Sequence, residues 1–568
     1  MRESEFSLSN NPRPTVEVSL NDGRFIIGKR GAPLKSFLDL VQDAHQPLIV
    51  GGIVDGNLRE LTFPIHRDAQ VSPLSLATED GARIYRRSLT FLLEVAFKHC
   101  FPGAHLTIDH SVSSGGYYCQ VEEMPSFGQE DLLKLKQNML GLVEQDLPFT
   151  RQTVPLEEAI AYFKSTGEDD KVRLLKYRPR PDLVLYSVGE IRDYHHGYMV
   201  PSSGYLKWFD LSLMGNAFIL RFPQRGNPSK ITAMTDYPKL VKTFQEYGNW
   251  LNKLGIPSVG ALNDAIENGH SDEVILVSEA FHEMQVSEIA ESIHKQRDKV
   301  GVILIAGPSS SGKTTFSKRL SIQLLARGIK PFPLEMDNFF FDRQKTPPGA
   351  DGKPDFEALT ALNLERMNHD VQALLAGREV LLPHYNFITG LNEPGESAHL
   401  EKDTMIIIEG IHGLNPGLFP DMPHENTFRV YASCLTQLNL DRHNRISTTD
   451  TRMLRRIVRD ARDRGYSAEV TIGRFEAVRR GEKEHIFPYQ ENADAIFNSA
   501  LAYELGALKP YVEPLLRQVS FGTPEYIEAK RLLKFLEWFL PMSSEYIPNN
   551  SILREFIGGS ALQQFNLW

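Results

Sequence analysis

The chain has 568 residues, too many for one hydrophobic core, and ordinary domain sizes imply about three or four domains. Apolar residues make up 41% and charged residues 24%, a globular composition, and the formal charge of −10 argues against a chain whose main business is neutralising nucleic-acid phosphates. Three scattered cysteines (Cys100, Cys119, Cys434), a start without an apolar secretory core and no run near the roughly 20 apolar residues of a bilayer span predict reduced thiols in the cytoplasm and no membrane association.

Over 15–75, β-rich runs such as Thr15-Val16-Glu17-Val18-Ser19-Leu20 alternate with turns such as Asn21-Asp22-Gly23, which predicts a small β-grasp domain. An α+β domain is expected over 79–222, with an apolar helix at 88–99, strands around Leu106, Tyr117 and Leu183, and a last strand at 217–221. A helical connector follows at 237–299. From 300 to 516, strands (302–306, 405–408, 428–432) alternate with helices (314–327, 364–375, 451–462), as in a parallel sheet covered by helices on both faces. A C-terminal helical extension closes the chain at 523–568, and the fold class expected is multidomain α/β.

Function concentrates in Gly307-Pro308-Ser309-Ser310-Ser311-Gly312-Lys313-Thr314-Thr315, which follows an apolar strand and opens a helix bearing Phe316, Leu320 and Leu324 on one face. Gly307 and Gly312 let the backbone curl so that the amides of Ser309, Ser310, Ser311 and Thr315 meet an anion at the helix N-terminus. Lys313 can reach the β and γ phosphates of a bound polyphosphate, and the Thr314 hydroxyl can ligate Mg²⁺. Asp337, after the next strand, is a candidate base where the carboxyl end of a parallel sheet faces its ligand. Glu409 closes the strand Met405-Ile406-Ile407-Ile408 and can hold a water on the metal. Arg452, Arg456 and Arg459 share a helical face, with Arg464 at the helix end, a pattern suited to clamping a phosphoryl group. Pro383-His384-Tyr385-Asn386-Phe387 offers an aromatic ring for an acceptor pocket.

Through GPSSSGKT, MDNFF, PHYNF, IIIEG and RRIVRDARDRG, residues 300 to about 500 resemble the uridine kinase and phosphoribulokinase branch of P-loop kinases. The whole chain resembles longer bacterial nucleoside kinases with a synthetase-like front half, and 548–560 is similar to their C-terminal segment. The resemblance implies ATP- and Mg²⁺-dependent phosphoryl transfer to a nucleoside hydroxyl. It makes Asp337 the acid that accepts the 5′-hydroxyl proton, Tyr385 a base-stacking ring and Arg456 a substrate-side lid arginine. Arg459 and Arg464 become the lid residues that touch ATP. Glu357 stands where the family has a ribose-binding Asp, Gly390 replaces a pyrimidine-reading His, and Arg474 replaces a lid Gln. A purine nucleoside or sugar phosphate is therefore an alternative acceptor, and a nucleotide-gated RNA- or ribosome-binding protein an alternative function.

The stretch 15–75 resembles the TGS domain, and 85–222 resembles the editing-type domain of threonyl- and alanyl-tRNA synthetases, through Arg87-Ser88-Leu89-Thr90-Phe91, Gly116-Tyr117-Tyr118 and Val200-Pro201-Ser202-Ser203-Gly204. Where the synthetases gather metal-binding or hydrolytic side chains this sequence has Arg87, Phe91, His195 and Met199, which leaves a single imidazole, so neither zinc nor editing hydrolysis is expected. His195 and His196, side by side, would face opposite ways on a strand. An RNA-contacting surface, an oligomer contact and a regulatory ligand site stay open for this half, and a homo-oligomer is expected.

Overall fold

The computed structural model describes residues 13–565 except 114, 125, 349–351, 353 and 387, so Phe387 of the acceptor-pocket motif lies outside the described residues. The chain forms two compact units. One comprises Met1–Thr235, Leu440–Arg445 and Ser520–Arg531; the other comprises Asp236–Asn439, Ile446–Val519 and Leu532–Trp568.

The first unit begins with the expected β-grasp. Alternating burial along Thr15–Leu20 puts Val16, Val18 and Leu20 on the face covered by the short helix Leu34–Leu38. The sheet runs in the order Phe25–Lys29, Thr15–Leu20, Ala69–Ser75, Ile49–Val54, Asn57–Glu60, with the second and third strands parallel. Next comes the helix Glu79–Cys100, longer than expected because the Thr78 hydroxyl caps it by accepting from the Gly81 amide at 3.1 Å. Its apolar face joins one core with an antiparallel sheet ordered Asp210–Met214, Ala217–Arg221, Gly116–Glu122, His105–Val112. A three-stranded sheet of Ile191–Asp193, Asp182–Val188 and Thr150–Pro155 completes the α+β region.

The second unit starts with helices Pro238–Leu254, Val259–Glu267 and Ser271–His294. Its sheet has five strands, ordered Lys330–Glu335, Thr404–Glu409, Val302–Ala306, Thr427–Ser433, Ala495–Asn498, and every neighbouring pair is parallel. All five residues of the central strand are buried, as a strand covered on both faces requires. From it the chain leaves by Lys313–Leu325 to the edge strand Lys330–Glu335, then fills both central flanks. The carboxyl end of Val302–Ala306 is thus a switch point in strand order, where open parallel sheets hold ligands. The sheet is the P-loop type expected from the motif. A hairpin, Val380–Asn386 with Leu391–Ala398, projects the acceptor-pocket motif.

Candidate functional site

The phosphate loop has no room for other residues at its bends. A Cβ at Gly307 would lie 1.9 Å from the Ala432 carbonyl oxygen, so the close approach of loop and neighbouring strand demands glycine. Ser310 (φ 58°) and Gly312 (φ 85°) both take left-handed backbone, which turns the chain into the helix Lys313–Leu325. The loop is fastened at one residue by three bonds. The Ser309 amide donates to Glu482 at 3.0 Å, its carbonyl accepts from Arg452 Nε at 2.9 Å, and its hydroxyl accepts from Arg456 at 2.8 Å.

Around the loop the expected residues come together. The Thr314 hydroxyl donates to Glu409 Oε1 at 2.9 Å, and the Lys313 ammonium donates to the Pro308 carbonyl at 3.4 Å. Burial raises the Glu409 pKa, while Lys313 and the Thr314 hydrogen bond pull it down. Asp337 is open to solvent, yet the surrounding protein dehydrates it enough to raise its pKa, with Lys313 opposing and Glu335 adding to the rise. Desolvation likewise raises Glu357, beside Glu482 and Asp337, and Arg456 opposes it. Asp337 and Glu409 each feel the charge of Lys313, so both carboxylates share that ammonium's field. Dehydration thus raises three carboxylates around the loop, opposed by Lys313 at two of them and by Arg456 at the third. The hard oxygens of Thr314 and Glu409 fit Mg²⁺.

The helix Thr448–Arg464 supplies the arginines, but their spacing conceals two jobs. Arg452 is buried and ion-paired with Glu482, so it braces the loop. Arg455, 0% exposed, pairs with Glu504 at 2.5 Å and donates to the Ser499 carbonyl at 2.7 Å. Arg456, Arg459 and Arg464 all converge on Asp460, at 3.2, 3.0 and 3.3 Å, and Asp460 is only 1% exposed. Asp460 was not among the expected site residues, although it lies four residues from both Arg456 and Arg464, a spacing that signals such pairs. Glu482 carries no comparable sequence signal.

Tyr385 is 3% exposed and meets Phe340 edge to face at 5.6 Å, packed in its hairpin. At Gly390 a Cβ would fall 2.8 Å from Arg343 Nε, so an arginine fills the space a side chain would need there. Arg474 stacks over the Tyr466 ring at 4.8 Å.

In the first unit, Arg87 donates to the Tyr198 carbonyl at 2.7 Å and Phe91 meets the His195 ring at 5.5 Å. His195 follows the strand Ile191–Asp193 rather than lying on it, and its imidazole is buried. It faces Glu94 at 3.4 Å, while His443 lies 2.9 Å from Asp193, whose carboxylate also accepts from Lys171 at 2.5 Å. Glu94, Asp193 and His195 offer ligand atoms within 4.8 Å of one another, a donor set the sequence did not reveal. The Lys171 ammonium already supplies a cation to this cluster and holds the Asp193 pKa far below the usual range. Dehydration drives Glu94 up and lowers His195 to about 4.

Residues 302–504 match the model of the Phosphoribulokinase / Uridine kinase family, in agreement with the parallel sheet and its loop, and this region is a P-loop kinase fold. The N-terminal half is similar to threonine–tRNA ligases. That of Teredinibacter turnerae is 36% identical over 170 residues, 30% of this chain and 26% of the ligase. That of Polaromonas naphthalenivorans is 37% identical over 170 residues, 30% of this chain and 27% of the ligase. The chain therefore spans about a quarter of the length of these curated relatives. Among solved structures, a putative fructose transport system kinase from Silicibacter sp. TM1040 is 18% identical, covering 37% of this chain and 98% of that one with a TM-score of 0.28. A possible uridine kinase from Bacillus stearothermophilus is 24% identical, covering 25% of this chain and 79% of that one with a TM-score of 0.21.

Proposed function

We propose that the second unit transfers the γ-phosphoryl group of ATP to a hydroxyl of a nucleoside, with Mg²⁺ as cofactor. The observation that carries this reading is the Thr314 hydroxyl on Glu409 at 2.9 Å, beside a lysine whose field also reaches Asp337. The family match over 302–504 supports it.

Lys313 and the loop amides bind the donor's phosphates, Thr314 and Glu409 hold the metal, and Asp337 accepts the proton of the attacking hydroxyl. Mg²⁺, when bound, offsets charge on the phosphate oxygens. The acceptor oxygen gains the bond to the γ phosphorus, the bond to the bridging oxygen breaks, and ADP leaves. Glu357 and Tyr385 belong to the acceptor side. Arg456 lies at the acceptor and Arg459 and Arg464 at the donor, where their charge meets the oxygens that become more negative as transfer proceeds.

A purine nucleoside or a sugar phosphate as acceptor is the second reading, because Gly390 and Arg474 stand where the kinases that the chain resembles carry a His and a Gln. The front half, given its likeness to threonine–tRNA ligases, is a candidate RNA contact, and a homo-oligomer in the cytoplasm is the form we infer. The test is radiolabelled phosphate transfer from ATP across nucleosides, sugars and sugar phosphates. A labelled nucleoside monophosphate is the result expected. No labelled small molecule, together with RNA affinity that changes with ATP and falls steeply with salt, would replace the kinase by a nucleotide-gated RNA binder.

A further inference from the structure

The stretch 551–562 lies directly on the phosphate loop and its helix. A Cβ at Gly312 would come 2.6 Å from Ile552 Cγ2, so the isoleucine rests against the loop's second glycine. Glu555 Oε2 accepts from the Thr315 amide at 3.2 Å and from its hydroxyl at 2.7 Å. The stretch is fixed from several sides. The Ser551 hydroxyl donates to Glu279 at 2.5 Å, the Arg455 guanidinium lies 5.0 Å over the Phe556 ring, and Lys318 donates to the Leu562 carbonyl at 2.7 Å. Arg462 donates to the carbonyls of Glu555 and Phe556 at 2.9 and 2.8 Å.

The Thr315 amide belongs to the first turn of the loop helix, so it has no partner within the helix and faces any anion brought to that end. Glu555 has claimed this amide and the hydroxyl beside it. Its charge also raises the pKa of Glu409, so it acts in the same field as the proposed metal ligand. A triphosphate seated by Lys313 brings several negative charges to amides that already hold one.

Resting on the donor-site reading above, we propose that Glu555 competes with the donor's phosphates for Thr315, so that the C-terminal segment sets the affinity and charge selectivity of the nucleotide site. A donor complexed to a divalent cation overcomes the competition better than a bare polyanion, because the metal offsets part of the repulsion.

Glu555→Gln keeps an acceptor oxygen for Thr315 and removes the charge. Calorimetric titration of full-length protein with ATP, ADP and inorganic tripolyphosphate, each with and without Mg²⁺, compares wild type, Glu555→Gln, Glu555→Ala and Lys313→Ala, each checked for folding by circular dichroism. Glu555→Gln is expected to bind ATP and tripolyphosphate about tenfold tighter, with the larger gain for tripolyphosphate in the absence of Mg²⁺. Glu555→Ala should follow the same direction. Lys313→Ala should bind more weakly than wild type. Equal or weaker binding by both Glu555 variants, with Lys313→Ala still impaired, overturns the role of Glu555 alone. Binding indifferent to Lys313→Ala, or no binding by any form, removes the donor site itself and this inference with it.

Discussion

Asp337 is held in two opposing ways: dehydration raises its pKa, and Lys313 restrains the rise. In the proposed transfer, which is loose and mostly electrostatic, a carboxylate there would orient and deprotonate rather than drive the reaction. Asp337→Asn is expected to lower transfer by about 10²- to 10⁴-fold with ATP affinity little changed, measured by kinetics and equilibrium binding on the same preparation. Wild-type kcat/KM should fall on the acid side with a midpoint above the ordinary aspartate value, since the base must be ionised. The Asn variant should lose that limb. How far sequence reasoning reaches at this scale is visible in the residues themselves. Gly307, Gly312, Lys313 and Thr314 were legible because a phosphate loop is a local backbone device. Glu482, Glu555 and Arg343 were not, because their partners lie tens to hundreds of positions away and no spacing rule links them.

At the scale of elements, the helix Thr448–Arg464 does more than present arginines to the phosphate loop. Its Arg455 is wholly buried against Glu504, the first residue of the helix Glu504–Leu516, and so ties two elements beside the phosphate loop, where it also donates to the Ser310 carbonyl at 3.5 Å. Removing one member of such a pair leaves a bare charge in a dry place. Glu504→Gln is therefore expected to destabilise the second unit by about 3–5 kcal/mol in urea unfolding, while Arg455→Met with Glu504→Leu should lose much less. The periodicity of the arginines revealed the helix and the face that meets the loop. It did not separate Arg452 and Arg455, spent on structure, from Arg456, Arg459 and Arg464, because burial depends on what other elements place opposite each guanidinium.

For the whole molecule, the front half keeps its charged cluster dry. His195 has a folded pKa near 4, below its unfolded value of 6.5, so the stability it contributes is complete above 6.5 and is lost as pH falls toward 4. Glu94, raised by burial, works in the opposite direction, while Asp193, held well below the ordinary aspartate range, and Lys171, held well above the ordinary lysine range, keep their charges, and the His443 pKa is raised by the carboxylates facing it. The useful quantity is thus a difference between proteins. Over pH 6.5 to 4, wild type should lose about 3 kcal/mol more than His195→Gln, read by hydrogen exchange in 79–222. Because we infer no zinc there, a chelator should leave both curves where they are. The parallel sheet within 300–516 was legible from hydrophobic patterning. The return of 440–445 to the first unit was not, since nothing in that hexapeptide's composition marks its destination.

That return has a practical corollary for anyone wishing to cut the protein apart. A fragment stopping at Thr235 would discard Asp441, which takes the Tyr194 hydroxyl, and His443, which lies 2.8 Å from the Lys171 ammonium. It would also drop Glu528, the carboxylate 2.7 Å from Arg83. The synthetase-like half borrows its finishing pieces from downstream, so scissors applied at the obvious seam would yield an incomplete body, and a faithful excision must splice both distant pieces back in.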